Sequence, residues 1–302
     1  MTIDRLLAGL KARDPRAIGR AISLVENGDE SSEAILSGLD EDLVSAATIL
    51  GITGPPGAGK STLTNSIISM LRRNGKRIGI VAIDPSSPIS GGAILGDRIR
   101  MMQHATDPDV VMRSMATRGR LGGLCATAGA AVRIMASCGC STIIIETVGV
   151  GQSEMDIIRL ADITLLVLAP GLGDDIQAMK AGLLEVADIL VVNKADCKGA
   201  DILAMDLEAV TRKGSGVSTQ VSMTVATESK GVGELLDRIA VLDSEHRCSG
   251  ERQKRRREAH DQEVLDWCLE MLRPRLQVEI TARNLPLTGD PRLKAKKILE
   301  EL

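Results

Sequence analysis

Short, uninterrupted apolar runs alternate with longer amphipathic stretches along the 302-residue chain. Residues 46–53 read Ala-Ala-Thr-Ile-Leu-Gly-Ile-Thr and enter Gly54-Pro55-Pro56-Gly57. Similar runs occupy 77–84, 141–146, 163–169 and 189–193, and 220–225 reads as a last strand. A run that is apolar on both faces belongs to a sheet covered on both sides, and strands alternating with helices make that sheet mostly parallel. Between them, 60–73 has helical spacing and stops at Asn74-Gly75, and 232–242 reads as the last core helix. Leu6, Leu7, Leu10, Ile18, Ala21 and Ile22 recur at near-helical spacing, and Asp14-Pro15 starts a second helix, so residues 1–45 read as a helical segment. After Ser249-Gly250 the texture becomes highly charged. Residues 251–273 predict a long amphipathic helix with Val264, Leu265, Cys268, Leu269 and Leu272 on one face, and 292–302 a short terminal helix. The expected organisation is an α/β domain over 46–249, flanked by N-terminal helices (1–45) and a C-terminal helical arm (250–302). The block Lys254-Arg255-Arg256-Arg257 is expected to be a solvated helix face.

Composition narrows the functional classes. There is no Phe and no Tyr, and Trp267 is the single aromatic residue. The core must therefore be built from Leu, Ile, Val, Met and Ala. Binders of single-stranded nucleic acid that stack bases on rings, and aromatic cages for quaternary ammonium groups, are excluded. Lys+Arg total 37 against 40 Asp+Glu, a net charge of −3, which argues against a dedicated nucleic-acid protein. Six cysteines include no C-x-x-C pair, so they read as reduced thiols used as small apolar residues. No run approaches the length of a membrane helix and the N-terminus has no signal-peptide pattern, so a cytoplasmic location with no membrane partner is expected.

Four motifs carry chemistry. Gly54-Pro55-Pro56-Gly57-Ala58-Gly59-Lys60-Ser61 matches G-x-x-x-x-G-K-[ST], the phosphate-binding P-loop, between a predicted strand and a predicted helix. Its backbone N–H groups and the helix N-terminus cradle phosphate oxygens, Lys60 sets a compact charge between the β- and γ-phosphates, and the Ser61 hydroxyl can ligate Mg²⁺. Asn193-Lys194-Ala195-Asp196 closes an apolar strand, and N-K-x-D is the guanine-specificity motif. A carboxylate such as Asp196 accepts from guanine N1–H and N2–H, whereas adenine would leave it unpaired. The Lys194 stem can lie along the base. Glu146, at the end of the 141–146 strand, stands in the Walker-B place, and Gly149 sits where a backbone N–H can reach a γ-phosphate. Asp84 ends its own strand and Asp97 follows in a Gly-rich segment. Each alone also reads as a cap or turn residue; with Ser61 and Glu146 they form a candidate Mg²⁺ shell.

Together, GPPGAGKST, IDPSSP-x-x-GGAILGDRIRM, ETVGVGQSE, PGLGDDIQAMKAGLLEVAD and NKAD resemble the MeaB/ArgK family of SIMIBI-class GTPases. The resemblance implies an α/β P-loop NTPase that forms homodimers and hydrolyses GTP with Mg²⁺. It implies a chaperone that gates cofactor loading of, and protects, an adenosylcobalamin-dependent acyl-CoA mutase, typically methylmalonyl-CoA mutase. By family position, Gly54, Gly57, Ala58, Gly59, Lys60, Ser61 and Thr62 hold phosphates, and Asp84, Asp97 and Glu146 form the Mg²⁺ and switch shell. Asn193, Lys194 and Asp196 hold guanine. The 171–175 loop, followed by Lys180, matches a further switch. Relatives often end the base pocket with Ser-Ala; Val225-Ala226 stands here, leaving the Ala226 N–H as the expected donor to guanine O6. Val150 stands where Ras-type proteins carry a water-positioning Gln, so slow intrinsic hydrolysis is expected. Two other readings are a SIMIBI metallochaperone, for which Cys138 and Cys140 are the candidate ligands, and a kinase of a transport protein.

Overall fold

A computed structural model describes residues 2–84, 104, 106–116, 123–147, 158–172, 183–214, 220–283 and 290–300. Four helices lead the chain: α1 (Ile3–Lys11), α2 (Pro15–Glu26), α3 (Ser32–Ser37) and α4 (Glu41–Ala46). The Asp14 side chain caps α2 by accepting from the Arg16 N–H, and Pro15 takes the first helical position, as Asp-Pro predicts. Then come β1 (Thr48–Thr53), α5 (Lys60–Arg73), β2 (Ile78–Asp84), β3 (Val110–Ala116), α6 (Gly123–Ser137), β4 (Thr142–Thr147) and β5 (Ile163–Leu168). The chain continues through α7 (Leu183–Val186), β6 (Ile189–Asn193), α8 (Ala200–Gly214), β7 (Gln220–Thr224), α9 (Val232–Ser249), α10 (Glu251–Ala282) and α11 (Pro291–Glu300).

The seven strands form one parallel sheet in the order β3-β2-β4-β1-β5-β6-β7. All strands therefore end at the same edge, and β1, which feeds the glycine-rich loop, lies in the middle. Every residue of β5 and β6 is buried, as expected for strands covered on both faces. Alternate residues divide between layers. Ile143 and Ile145 join the core under α1, α2 and α6, while Ile144 faces the other way, under α5 and α9. Leu166 and Leu168 pack with α8 in a third cluster. Aliphatic side chains fill the three cores, joined in the first by Met115, Met135, Cys138 and Cys140, as the absence of Phe and Tyr requires.

β3 is absent from the sequence reading because Arg113 interrupts its apolar pattern. The strand lies at the sheet edge, where Arg113 pairs with Glu26 of α2. The arm also differs from expectation. Gly250, at φ 80°, breaks α9 from α10 as foreseen, but α10 runs through Pro274 to Ala282. Its buried residues are Arg252, Glu263 and Asp266, whereas Val264, Leu265, Leu269, Met271 and Leu272 are exposed. The arm thus turns charged groups inward and its apolar ridge outward.

The basic block is not simply a solvated face. Arg255 pairs with Asp188 at 2.8 and 2.9 Å, and Arg256 with Asp162 at 2.8 Å, while Lys254 and Arg257 remain exposed. Arg252 joins Asp243 at 3.0 Å and approaches Asp162 at 3.6 Å. Asp162 and Asp188 each precede an apolar strand, so arginines of α10 clasp the starts of β5 and β6, opposite the strand ends. Further along, Arg133 of α6 grips Glu263 through two 2.7 Å bonds, beside Gly129, where a Cβ would stand 3.0 Å from that carboxylate. Cys138 and Cys140 are free and buried, in line with their reading as apolar residues. Among the described residues no helix is long and apolar enough to cross a membrane.

Candidate active site

The loop between β1 and α5 turns through Gly54, Gly57 and Gly59, at φ 140°, 81° and 88°. Two of these glycines are enforced by close approach as well as by φ. A Cβ on Gly54 would stand 2.1 Å from the Val167 carbonyl oxygen, and one on Gly59 2.4 Å from Asn193 Nδ2. Lys60 starts α5 and is buried; its Nζ donates to the Gly54 and Pro55 carbonyls at 2.7 and 3.1 Å. The ammonium is thereby folded back over the glycine-rich loop.

Ser61 Oγ donates to Glu146 Oε1 at 2.6 Å, so the first turn of α5 and the end of β4 share one oxygen-rich corner. Glu146 is buried, in register with Ile52 of β1 and Ala82 of β2. Thr53 Oγ1 and Thr147 Oγ1, at the same strand ends, are buried without a hydrogen-bond partner among the described residues. A hydroxyl and a carboxylate offer only hard oxygen donors, the set that suits Mg²⁺. Asp84 ends β2 at this edge, with its side chain outside the described residues. Asp97, Gly149 and Lys180 also lie outside them, as does most of the 171–175 loop. Thr62 is exposed one residue beyond Ser61, and Ala58 is fully buried.

Asn193 ends β6 and is buried at the centre of a bracket. Its Nδ2 donates to the carbonyls of Ala58 (3.0 Å) and Gly59 (3.4 Å), and its Oδ1 accepts from Thr224 Oγ1 and the Ala226 N–H, both at 3.2 Å. One side chain therefore ties the phosphate loop to the loop after β7. The Ala226 N–H, the expected donor to guanine O6, is directed at the Asn193 carboxamide by the short 3-10 turn Ala226–Glu228. Val225 instead bridges to Lys230 across that turn. Lys194, at φ 55°, turns the chain outward, and its Cε reaches 4.0 Å from where a Gly59 Cβ would stand. Its stem thus passes over the phosphate loop. Asp196 follows, exposed, in a turn held by Ala195 N–H to Thr224 O at 3.0 Å. The exposed Lys230 is held in its charged form by Glu228, at 2.5 Å, with a smaller contribution from Asp196.

The phosphate motif, the Walker-B acid and the N-K-x-D motif therefore meet at one edge of the sheet. Thr224, which completes the Asn193 bracket, was not foreseen; a polar residue at the end of a strand next to N-K-x-D is its only sequence trace.

The family model for methylmalonyl-CoA mutase-associated GTPase MeaB matches residues 18–281. A Pyrococcus abyssi protein with a GTPase name is 49% identical over 272 residues, covering 87% of this chain and 82% of the relative. The mouse methylmalonic aciduria type A homolog, a mitochondrial protein, is 32% identical over 281 residues, covering 85% and 67%. The crystal structure of a LAO/AO transport system kinase superposes with a TM-score of 0.69 at 23% identity, covering 99% of this chain and 97% of that one, a likeness of fold. The chain is a GTPase with a SIMIBI-type P-loop fold and belongs to the MeaB family of methylmalonyl-CoA mutase-associated GTPases.

Proposed function

We propose that this GTPase is a homodimeric, cytoplasmic chaperone that gates cofactor loading of, and protects, an adenosylcobalamin-dependent acyl-CoA mutase, methylmalonyl-CoA mutase being the first candidate. The observation that carries the nucleotide half of this reading is the Asn193 bracket, which fixes the phosphate loop and the base loop relative to each other. The mutase half draws on the family's name and on the mouse relative.

In this reading Lys60 leaves its loop carbonyls to place its charge on the phosphates. Ser61 and Glu146, joined by Asp84 and Asp97, would hold Mg²⁺, which when bound neutralises charge building on the phosphate oxygens. Gly149 would offer its N–H to the γ-phosphate. Asp196 selects guanine, and the Lys194 stem covers the base. The chain offers no glutamine at Val150, so the mutase supplies the missing positioning of water.

The outward ridge of Val264, Leu265, Leu269, Met271 and Leu272 on α10 supports dimerisation through the arm, since such a stripe on a helix already anchored by its charged face calls for an apolar partner. Gel filtration of the chain mixed with a methylmalonyl-CoA mutase, with GDP or a non-hydrolysable GTP analogue, tests the proposal. A complex whose stability changes with the nucleotide supports it, and separate elution under both conditions overturns it.

A further inference from the structure

We propose that Ser66 and Ser229 form a hydroxyl latch that positions the base-binding loop on the phosphate-binding helix and so sets how tightly guanine nucleotide is held. Ser66 lies on α5, six residues after Lys60, and is buried. Its Oγ donates to Ser229 Oγ at 2.8 Å.

Ser229 closes the turn that follows β7. The turn is pinned at its base by Val225 N–H to Lys230 O (3.0 Å) and Lys230 N–H to Val225 O (3.3 Å). One end of the loop hangs from Asn193 through Ala226, and the other from α5 through Ser229. The same helix opens with Lys60 and Ser61, so the latch joins base loop and phosphate loop through one rigid element. Asp196 sits beside this loop, within electrostatic reach of Lys230.

The backbone argues that the hydroxyl is the reason for the residue. Ser229 stands at φ 55°, ψ 18°, a left-handed conformation that glycine adopts freely and serine does not. Strain kept at a site where glycine would relieve it is accounted for by the bond that only the side chain makes. Ser229→Gly therefore separates two effects: it removes strain from the fold and removes the latch from the site.

The inference rests on the base-pocket reading above. The test measures binding of ribose-labelled GDP, KM and kcat for GTP, and the melting temperature, for the parent, Ser229→Gly, Ser66→Ala and the double variant. The expected result is about three- to tenfold weaker GDP binding in each single variant, the scale of one hydrogen bond. GTP KM should rise with kcat unchanged, and Ser229→Gly should melt no lower than the parent. The double variant should lose no more than either single one, because both remove the same bond. Parent-like GDP affinity in both single variants, additive losses, or a weakened site only in step with a lowered melting temperature would overturn the latch. A parent that binds ADP as well as GDP would instead overturn the base-pocket reading itself.

Discussion

Arg256 grips Asp162 with both arms of its guanidinium, Nε to Oδ1 and Nη2 to Oδ2, each at 2.8 Å. The carboxylate is almost fully enclosed, at 1% exposure, and also accepts the Ile49 N–H at 2.8 Å. Arg256 meanwhile donates to the Ala47 carbonyl at 2.6 Å. The arm is thus fastened to the start of β1 and the start of β5 by one ion pair. Asp162→Asn leaves the half-buried Arg256 without its counter-charge and the buried Arg252 with Asp243 alone. Loss of one partner from such a pair costs about 3–5 kcal/mol. Urea unfolding should show a shift of this size, and one below about 1 kcal/mol would mean that the arm is held elsewhere.

The catalytic prediction concerns Lys60. Its ammonium is the one charge the phosphate loop itself supplies, and it is held ready by two loop carbonyls. Lys60→Ala should lower GTP turnover at least about a hundredfold, the scale seen when a single preorganised transition-state donor is lost. Phosphate release measured at saturating GTP checks this; turnover within a factor of about three of the parent would remove Lys60 from the chemistry.

Base choice is predicted to reside in Asp196. Replacing it by Asn keeps an acceptor for N1–H but turns the second oxygen into a donor. That donor suits the 2-oxo group of xanthine and opposes the 2-amino group of guanine. Asp196→Asn should weaken GTP relative to XTP by about a hundredfold or more. Competition of the two triphosphates for the site gives the ratio directly, and an unchanged ratio would place guanine elsewhere.

Much of this architecture is legible in the chain. β6 and α5 fall on their predicted residues because an apolar run and a Gly-Lys-Ser start leave little choice. β3 escaped because its edge position tolerates Arg113. Helix α6, rich in Gly and Ala, lacks a sharp amphipathic pattern, since it is covered by α2, α4 and α10 as well as by the sheet. The clasp was written in the sequence in a form that periodicity does not read. Ala161-Asp162-Ile163 and Ala187-Asp188-Ile189 place an acid ahead of each of two buried strands, and the arginine block supplies their partners. Within the site, residue types and spacing located the phosphate and Walker-B groups. The inward turn of the Ala226 N–H depends on a local backbone path that spacing does not carry.

Alkaline pH should expose the buried thiols. Burial pushes the Cys138 thiol up to about 12 and that of Cys140 to about 11. An unfolded thiol ionises near 8.5. Between these limits the unfolded chain releases protons that the folded chain retains, so stability is whole below about pH 8.5 and falls as pH rises toward 11–12. Unfolding curves across pH 8–11 should show the decline, reduced in Cys138→Ala and Cys140→Ala. Mass mapping after alkylation at pH 8 should find Cys197, Cys248 and Cys268 modified and Cys138 and Cys140 protected, in keeping with their exposure. Equal labelling of all five would contradict the burial.

The most direct test of the central claim is GTP turnover by the purified chain with and without a methylmalonyl-CoA mutase. The chain alone should turn over slowly, with Val150 in place of a water-positioning glutamine. Added mutase should raise kcat at least about tenfold, and Lys60→Ala should abolish the stimulated rate. A rate unchanged by saturating mutase, with the parent still hydrolysing GTP, would contradict the coupling of this GTPase to that partner.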